Sequence, residues 1–90
     1  VRSAVVEQFV GLDNEKLVKF ASNLAAEKNY EVVFLNNNNL VVAGKNADKI
    51  FNAIIKELGG RGGGSTNLKM GRLDAPDVAK VRDLVSEMGF

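Results

Sequence analysis

The segment with the clearest capacity for chemistry lies between residues 59 and 72. Its first part reads GGRGGGSTN, and residues 59–71 hold six of the chain's nine glycines and no acidic residue. Arg61, Lys69 and Arg72 give the segment a charge of +3, whereas the remaining nine basic and eleven acidic residues sum to −2. Because main-chain amides without side chains can approach an anion closely, this composition favours contact with a phosphate or a ribose.

Each part of the segment has its own expected role in such a contact. The glycines let the backbone approach, the cations supply charge, and the short polar side chains supply directional hydrogen bonds. The candidate nucleic-acid-binding residues are Arg61, Gly62, Gly63, Gly64, Ser65, Thr66, Asn67, Lys69 and Arg72. A structural alternative is that Gly59 and Gly60 end a helix and a flexible loop follows. Because each glycine costs about 0.5–1 kcal/mol of backbone entropy relative to alanine, five in six residues favour a further use, and both explanations stay open.

Known nucleotide-binding loops do not fit this glycine pattern. A Walker loop requires Gly-Lys-Ser/Thr at the start of a helix after a strand, whereas Ser65 follows Gly64 here with no lysine between them. A Rossmann loop also follows a strand, and these glycines follow a predicted helix. The sequence therefore argues against a nucleotide cofactor.

Composition excludes most catalytic chemistry in this chain. Without His or Cys, the chain has no Ser-His-Asp triad, histidine base, cysteine nucleophile or thiolate zinc site. Two acidic pairs, Asp13 with Glu15 and Asp74 with Asp77, stand at predicted helix starts, where negative charge favours the helix dipole. We therefore expect no catalytic residue, no metal site and no cofactor in this chain.

The elements that must position the glycine segment follow from apolar periodicity and from helix and turn signals. We predict a strand over residues 3–10, a helix from Asp13 to near Asn29, and strands over 31–35 and 39–43 joined by an asparagine turn. A second helix follows the cap residue Asn46 and ends at Gly59. Asp74 and Pro76 predict the start of a third helix, which Gly89 ends, and a short strand is considered around residues 67–72.

These elements predict one α/β (mixed α+β) domain over residues 1–90. A strand, helix and strand form a right-handed parallel crossover, and the asparagine turn adds an antiparallel pair. We therefore expect a small two-layer domain in which a mixed sheet of three to five strands packs with three helices. The apolar runs are far shorter than the ~20 residues that a membrane helix needs, so no membrane partner is expected. The absence of an initial Met suggests a fragment of a longer chain.

The glycine segment and the order of elements resemble a known family. GGRGGGSTN after an amphipathic helix and two strands is similar to the signature of the DHH-associated C-terminal domain. That domain occurs at the end of alanyl-tRNA synthetases and in DHH phosphoesterases. Arg61 and Asn67 match the synthetase branch, and the chain lacks the histidine of the phosphoesterase branch. The family's Ala-Gln pair is replaced within residues 68–70.

This resemblance implies a non-catalytic module that binds tRNA, and in some members mediates a homodimer. The parent would be a cytoplasmic alanine-tRNA ligase that uses ATP and Mg²⁺, with Zn²⁺ as a further candidate, and its catalytic sites would lie before Val1. Two alternatives remain open: a purely structural dimerisation domain, and the substrate-binding lobe of a DHH phosphoesterase.

Overall fold

The computed structural model describes residues 4–90, which form a five-stranded sheet and three helices. Ser3, the first residue of the first predicted strand, lies outside the described residues. The elements in chain order are β1 (Ala4–Phe9), α1 (Asn14–Lys28), β2 (Glu31–Asn36), β3 (Asn39–Ala43), α2 (Ala47–Leu58), β4 (Gly60–Gly64), β5 (Leu68–Leu73) and α3 (Val78–Glu87). The mixed α/β class and the order of the predicted elements are confirmed.

The sheet is mixed, as predicted, with strand order β1-β2-β3-β5-β4. β1 and β2 are parallel because α1 crosses between them, whereas the other three pairs are antiparallel. The glycine-rich segment therefore extends the sheet beyond β3. β1 and β4 are the two edge strands.

Short-range signals set several of these boundaries. The Asp13 carboxylate accepts a hydrogen bond from the Glu15 N–H at 3.0 Å, and Asn29 ends α1 in the left-handed conformation with φ 58°. Asn37, with φ 54°, turns the chain between β2 and β3. These features confirm the predicted start and end of α1 and the predicted asparagine turn.

The start of α2 is confirmed, whereas the start of α3 differs from the prediction. Asn46 is the residue before α2, as predicted, but its side chain makes no capping bond; its amide nitrogen donates to Glu31 Oε2 at 3.1 Å. The N-cap of α3 is Asp77, which accepts from the N–H groups of Ala79 and Lys80, so Asp74 and Pro76 lie before the helix. At both helix starts, tertiary contacts or backbone geometry decide whether a nearby polar side chain forms the capping bond.

Helices cover both faces of the sheet, so the domain has three layers rather than the expected two. α1 packs on one face, which we call the α1 face, against a buried cluster that includes Val32 and Phe34. α2 and α3 pack on the opposite α2 face, where Val33 and Leu35 are buried. Consecutive residues of a central strand are therefore all buried, as expected for a strand covered on both sides.

Buried Asn36 ties the β1–α1 connection to the sheet. Its amide nitrogen donates to the Leu12 carbonyl oxygen at 2.8 Å and to Asn14 Oδ1 at 3.1 Å. Its amide oxygen accepts from the Leu12 N–H at 3.1 Å. The side chain thus satisfies both backbone groups of Leu12, in the chain segment just before α1.

We expect Asn36→Ala to lower the free energy of unfolding by about 1–3 kcal/mol, because the Leu12 backbone groups lose their partner in a partly buried position. Urea denaturation measures the change. Asn23→Ala, on the exposed side of α1, is the matched control and should change stability by less than about 0.5 kcal/mol. Equal effects of the two substitutions would contradict the anchoring role of Asn36.

Candidate nucleic-acid interface

The predicted glycine loop is an antiparallel hairpin made of β4, a short turn and β5. Gly60–Gly64 pairs with residues 69–73, and the Ser65 N–H donates to the Leu68 carbonyl oxygen at 3.0 Å. The Asn67 carbonyl oxygen accepts from the Gly44 N–H at 2.9 Å, which joins the turn to the end of β3. The expectation of a flexible loop is therefore wrong for the glycines, whereas the strand considered around residues 67–72 is confirmed.

Strand alternation divides the hairpin residues between the two faces of the sheet. Leu68 belongs to the cluster under α1, so Met70 and Arg72, two and four residues further along β5, lie on the α1 face. Their partners in β4 are Gly63 and Arg61. α1 packs on β2 and β3, and all four of these hairpin residues are exposed. The hairpin thus presents an uncovered face, defined by Arg61, Gly63, Met70 and Arg72, which we call the open face.

Two positive charges lie next to each other on the open face. Arg61 and Arg72 are cross-strand partners whose side chains lie on the same side of the sheet. Within residues 4–90, neither guanidinium forms an ion pair with a carboxylate. Because like charges directly opposite each other destabilise a sheet, this pair favours an anion near the open face.

Lys69 lies apart from the two arginines. Its partner in β3 is Val42, which is buried on the α2 face, and its ammonium lies 3.1 Å from Asp48 Oδ1 at the start of α2. The Lys69 side chain is only 16% exposed. The structure therefore brings Arg61 and Arg72 together and directs the third predicted cation to the other side of the sheet.

The glycines of the hairpin have different surroundings. A Cβ atom on Gly62 would overlap the Met70 carbonyl oxygen and would lie 2.8 Å from Cζ of Phe51 in α2. Gly71, its cross-strand partner, is equally close to Phe51, with 2.9 Å from a Cβ to the same atom. Gly64 has φ 144°, and a Cβ there would overlap the Leu68 carbonyl oxygen. Packing therefore explains Gly62 and Gly64.

Gly63 differs, because a Cβ there would meet no atom within 4 Å. It lies on the open face in β4, two residues from Arg61, and pairs with Met70 of β5. The turn residues Ser65, Thr66 and Asn67 are also exposed, at the tip of the hairpin. Of the predicted glycines, Gly63 alone has no neighbour in the described structure that requires a bare backbone.

The acidic residues of the two pairs considered from the sequence do not gather into a common site. Asp13 and Asp77 accept hydrogen bonds from backbone N–H groups at helix starts. Among residues 4–90, no group of three or more acidic side chains is arranged to hold a metal ion. In the same part of the chain, no helix is long and apolar enough to cross a membrane.

Sequence reasoning overlooked Met70 and the open face itself. Met70 is 43% exposed in β5, two residues from Arg72, on the open face. The period of two in Leu68, Met70 and Arg72 was the available signal, because it places these three side chains on one face. This signal lay within the strand considered around residues 67–72, but which face it marks became clear only from the packing of Leu68 under α1.

Comparisons with known proteins bear on the fold of the whole chain. No protein-family model matches, and no curated protein matches. Among solved structures, the chain is similar to the C-Ala domain of alanyl-tRNA synthetase from Aquifex aeolicus. The TM-score is 0.82 at 24% sequence identity, over 94% of this chain and 88% of that one.

The two chains share a fold. The fold expected from the resemblance to a synthetase C-terminal domain is therefore confirmed at this coarser level. The narrower relation to the DHH-associated domain stays a prediction, as do the nucleic-acid contacts of the hairpin.

We expect Gly62→Ala to lower the free energy of unfolding by about 1–3 kcal/mol, because the added methyl group overpacks the space below Phe51. Gly63→Ala is the matched control. Its φ is not positive and its surroundings are open, so it should leave stability unchanged or raise it by about 0.4–1 kcal/mol. Thermal and urea unfolding measure both, and equal losses would contradict the assignment of the two glycines to opposite faces.

We expect Arg72→Gln to raise the free energy of unfolding by about 0.2–1 kcal/mol at low salt, because it removes the like-charge contact with Arg61. The gain should shrink in 1 M NaCl, where the screening length falls to about 3 Å. Arg72→Lys keeps the charge and should show no such gain. A loss of stability in Arg72→Gln at every salt concentration would contradict the repulsion.

Proposed function

We propose that this chain is a non-catalytic module that binds tRNA through the open face of the β4–β5 hairpin. The single observation that carries the proposal is that Arg61 and Arg72 are cross-strand partners on an uncovered face and that neither forms an ion pair within the described residues. The shared fold with a domain of an alanyl-tRNA synthetase supports tRNA as the anion. The parent would then be an alanine-tRNA ligase, with the ATP and metal chemistry in other parts of that enzyme.

The open face suits an RNA backbone. Two guanidinium groups can each hold a phosphate with paired hydrogen bonds, and the bare backbone of Gly63 leaves room for a ribose or phosphate above β4 beside Arg61. Exposed Met70 offers an apolar contact beside them. Because such contacts read shape and charge rather than base edges, the expected target is folded RNA recognised at its backbone.

The hairpin tip extends this surface. Ser65 and Thr66 supply hydroxyl groups, and Asn67 supplies an amide, all exposed at the turn. Gly62 and Gly64 contribute through the close pairing that holds the hairpin together. Lys69 contributes indirectly in this proposal, because its ammonium pairs with Asp48 and fixes β5 against α2.

We expect Arg61→Gln and Arg72→Gln to weaken tRNA binding and to reduce its salt dependence. Log K falls as log salt concentration rises, and each lost phosphate contact should make this negative slope shallower by about 1. Filter binding or fluorescence anisotropy with a labelled tRNA, between 50 and 200 mM salt, measures the slope. In the double variant, the slope of log K against log salt concentration should become shallower by about 2.

The matched control is Lys80→Gln. Lys80 is an exposed residue of α3, which packs on the α2 face, opposite the open face. The substitution removes one positive charge without touching the open face and should leave both the affinity and the slope nearly unchanged. If the double arginine variant kept the wild-type slope, the open face would be removed from the interface.

A dimerisation role has one observation in its favour, the exposed edge of β4. The Ser65 N–H donates to the Leu68 carbonyl oxygen, so these two residues form a hydrogen-bonded pair. Hydrogen-bonded and non-hydrogen-bonded pairs alternate along an antiparallel ladder, and the backbone N–H and C=O groups of Gly60, Gly62 and Gly64 therefore point away from β5. These unpaired groups could add a strand from a second copy. Sedimentation of the binding samples separates the two roles, because a dimer indifferent to tRNA and to the arginine variants favours this second function.

A further inference from the structure

A cavity of about 300 Å³ lies beside the open face, between the second half of α1 and the strands β3 and β5. Its floor is formed by Ala43 and Leu68, which are cross-strand neighbours. Its helical wall is formed by Ser22, Ala25 and Ala26. Because these three side chains are small, α1 leaves a space above the strands that larger side chains would fill. The cavity lies at the lower end of the ~300–1,000 Å³ of ligand pockets.

The rim of this cavity carries hydrogen-bonding groups that are free for a ligand. Asn29, Lys45 and Asn67 line it and are exposed. Within the described part of the chain, none of their side chains forms a hydrogen bond or ion pair with another residue. A side-chain amide both donates and accepts, which matches the mixed donors and acceptors on the edge of a nucleobase.

Charge distinguishes this cavity from three others on the molecule. Each of the three has at least one carboxylate in its lining beside a cation: Glu7 and Asp83 with Arg82 between β1 and α3; Glu57, Asp83 and Glu87 with Lys80 between α2 and α3; and Asp13 with Lys16 in the apolar cavity at the start of α1. Carboxylates repel an RNA backbone. The cavity beside the open face has no carboxylate in its lining, and Lys45 gives it a positive rim.

The cavity also lies within reach of the proposed phosphate contacts. Leu68 in its floor and Arg72 on the open face share one side of β5 and are four residues apart. At about 3.4 Å per residue, this separation is roughly 14 Å along the strand. An RNA strand that follows β5 from the arginines towards Leu68 reaches the cavity within a few nucleotides.

We propose that this cavity receives one unpaired nucleobase of the bound RNA. The base would lie against Ala43 and Leu68, with its edge hydrogen-bonded by Asn67 and Asn29 and its phosphate near Lys45. The inference rests on the proposed RNA-binding function for its biological ligand. The cavity itself can be tested with a single nucleotide.

The first test is an NMR titration of the chain with adenosine monophosphate, observed at the methyl groups of Ala43 and Leu68. We expect saturable shifts that ribose 5-phosphate does not produce, because the base fills the cavity. Ser22→Leu should abolish them by occupying the space. Asn23→Leu, the matched control on the exposed side of α1, should keep them. Equal shifts with ribose 5-phosphate, or unchanged shifts in Ser22→Leu, would overturn the proposal.

Asn67→Ala provides a second variant that leaves the helix untouched. Loss of a hydrogen bond to the base should weaken nucleotide binding about fivefold, since one such bond contributes about 1 kcal/mol. Asn52→Ala, an exposed amide of α2, is its control and should have no effect. Unchanged affinity in Asn67→Ala would contradict the assigned base contact.

The second test compares a hexamer of riboadenylate with the same hexamer carrying one abasic site at each successive position. We expect binding to weaken about tenfold at one position, because a stacked base is lost while the phosphates remain. Equal binding of all hexamers, with the arginine-dependent salt slope intact, would overturn the base site and leave the proposed function standing. Nucleotide binding in the cavity without arginine-dependent tRNA binding would overturn the proposed function and support the base site.

Discussion

The hairpin that ends the sheet depends on the close approach of β4 and β5 beneath the ring of Phe51. Gly62 and Gly71 face each other there, and neither has space for a Cβ atom. Because the ring lies against bare backbone, α2 can pack closely on the outer strands, as the dense interior of a small domain requires. The glycines therefore serve the packing of one face of the hairpin first.

The glycines on the α2 face of the hairpin determine which side chains lie on its open face. Residues alternate along a strand, so the neighbours of the packed glycines must lie on the open face. These neighbours are Arg61, next to Gly62 in β4, and Met70 and Arg72, on either side of Gly71 in β5. That face carries a charge repulsion that packing does not relieve. A fold under selection for stability alone would place other residues there, which is the physical reason for treating the face as a binding surface.

Much of the fold could be read from local patterns. Asp13, Asn29 and the asparagine tract marked the boundaries of α1 and of the β2–β3 hairpin through capping and turn chemistry that acts over a few residues. β4 was missed because glycine has low strand propensity, and its strand conformation comes from pairing with β5. The third layer was missed although β2 carried its signal: the apolar run Val32–Leu35 lacks the alternation of a one-sided sheet, which is the pattern of a strand covered on both faces.

The sequence by itself indicated every element except β4. It also indicated where the positive charge is concentrated and that no histidine or cysteine chemistry is available. Only the tertiary structure decided that Arg61 and Arg72 meet on one face while Lys69 pairs with Asp48 on the other. The physical reason is the period of two along a strand: a shift of one residue in register would exchange the two faces. The turn between Ser65 and Leu68 sets how β4 pairs with β5, but which face each residue takes also depends on distant parts of the chain, such as Phe51 and Val42.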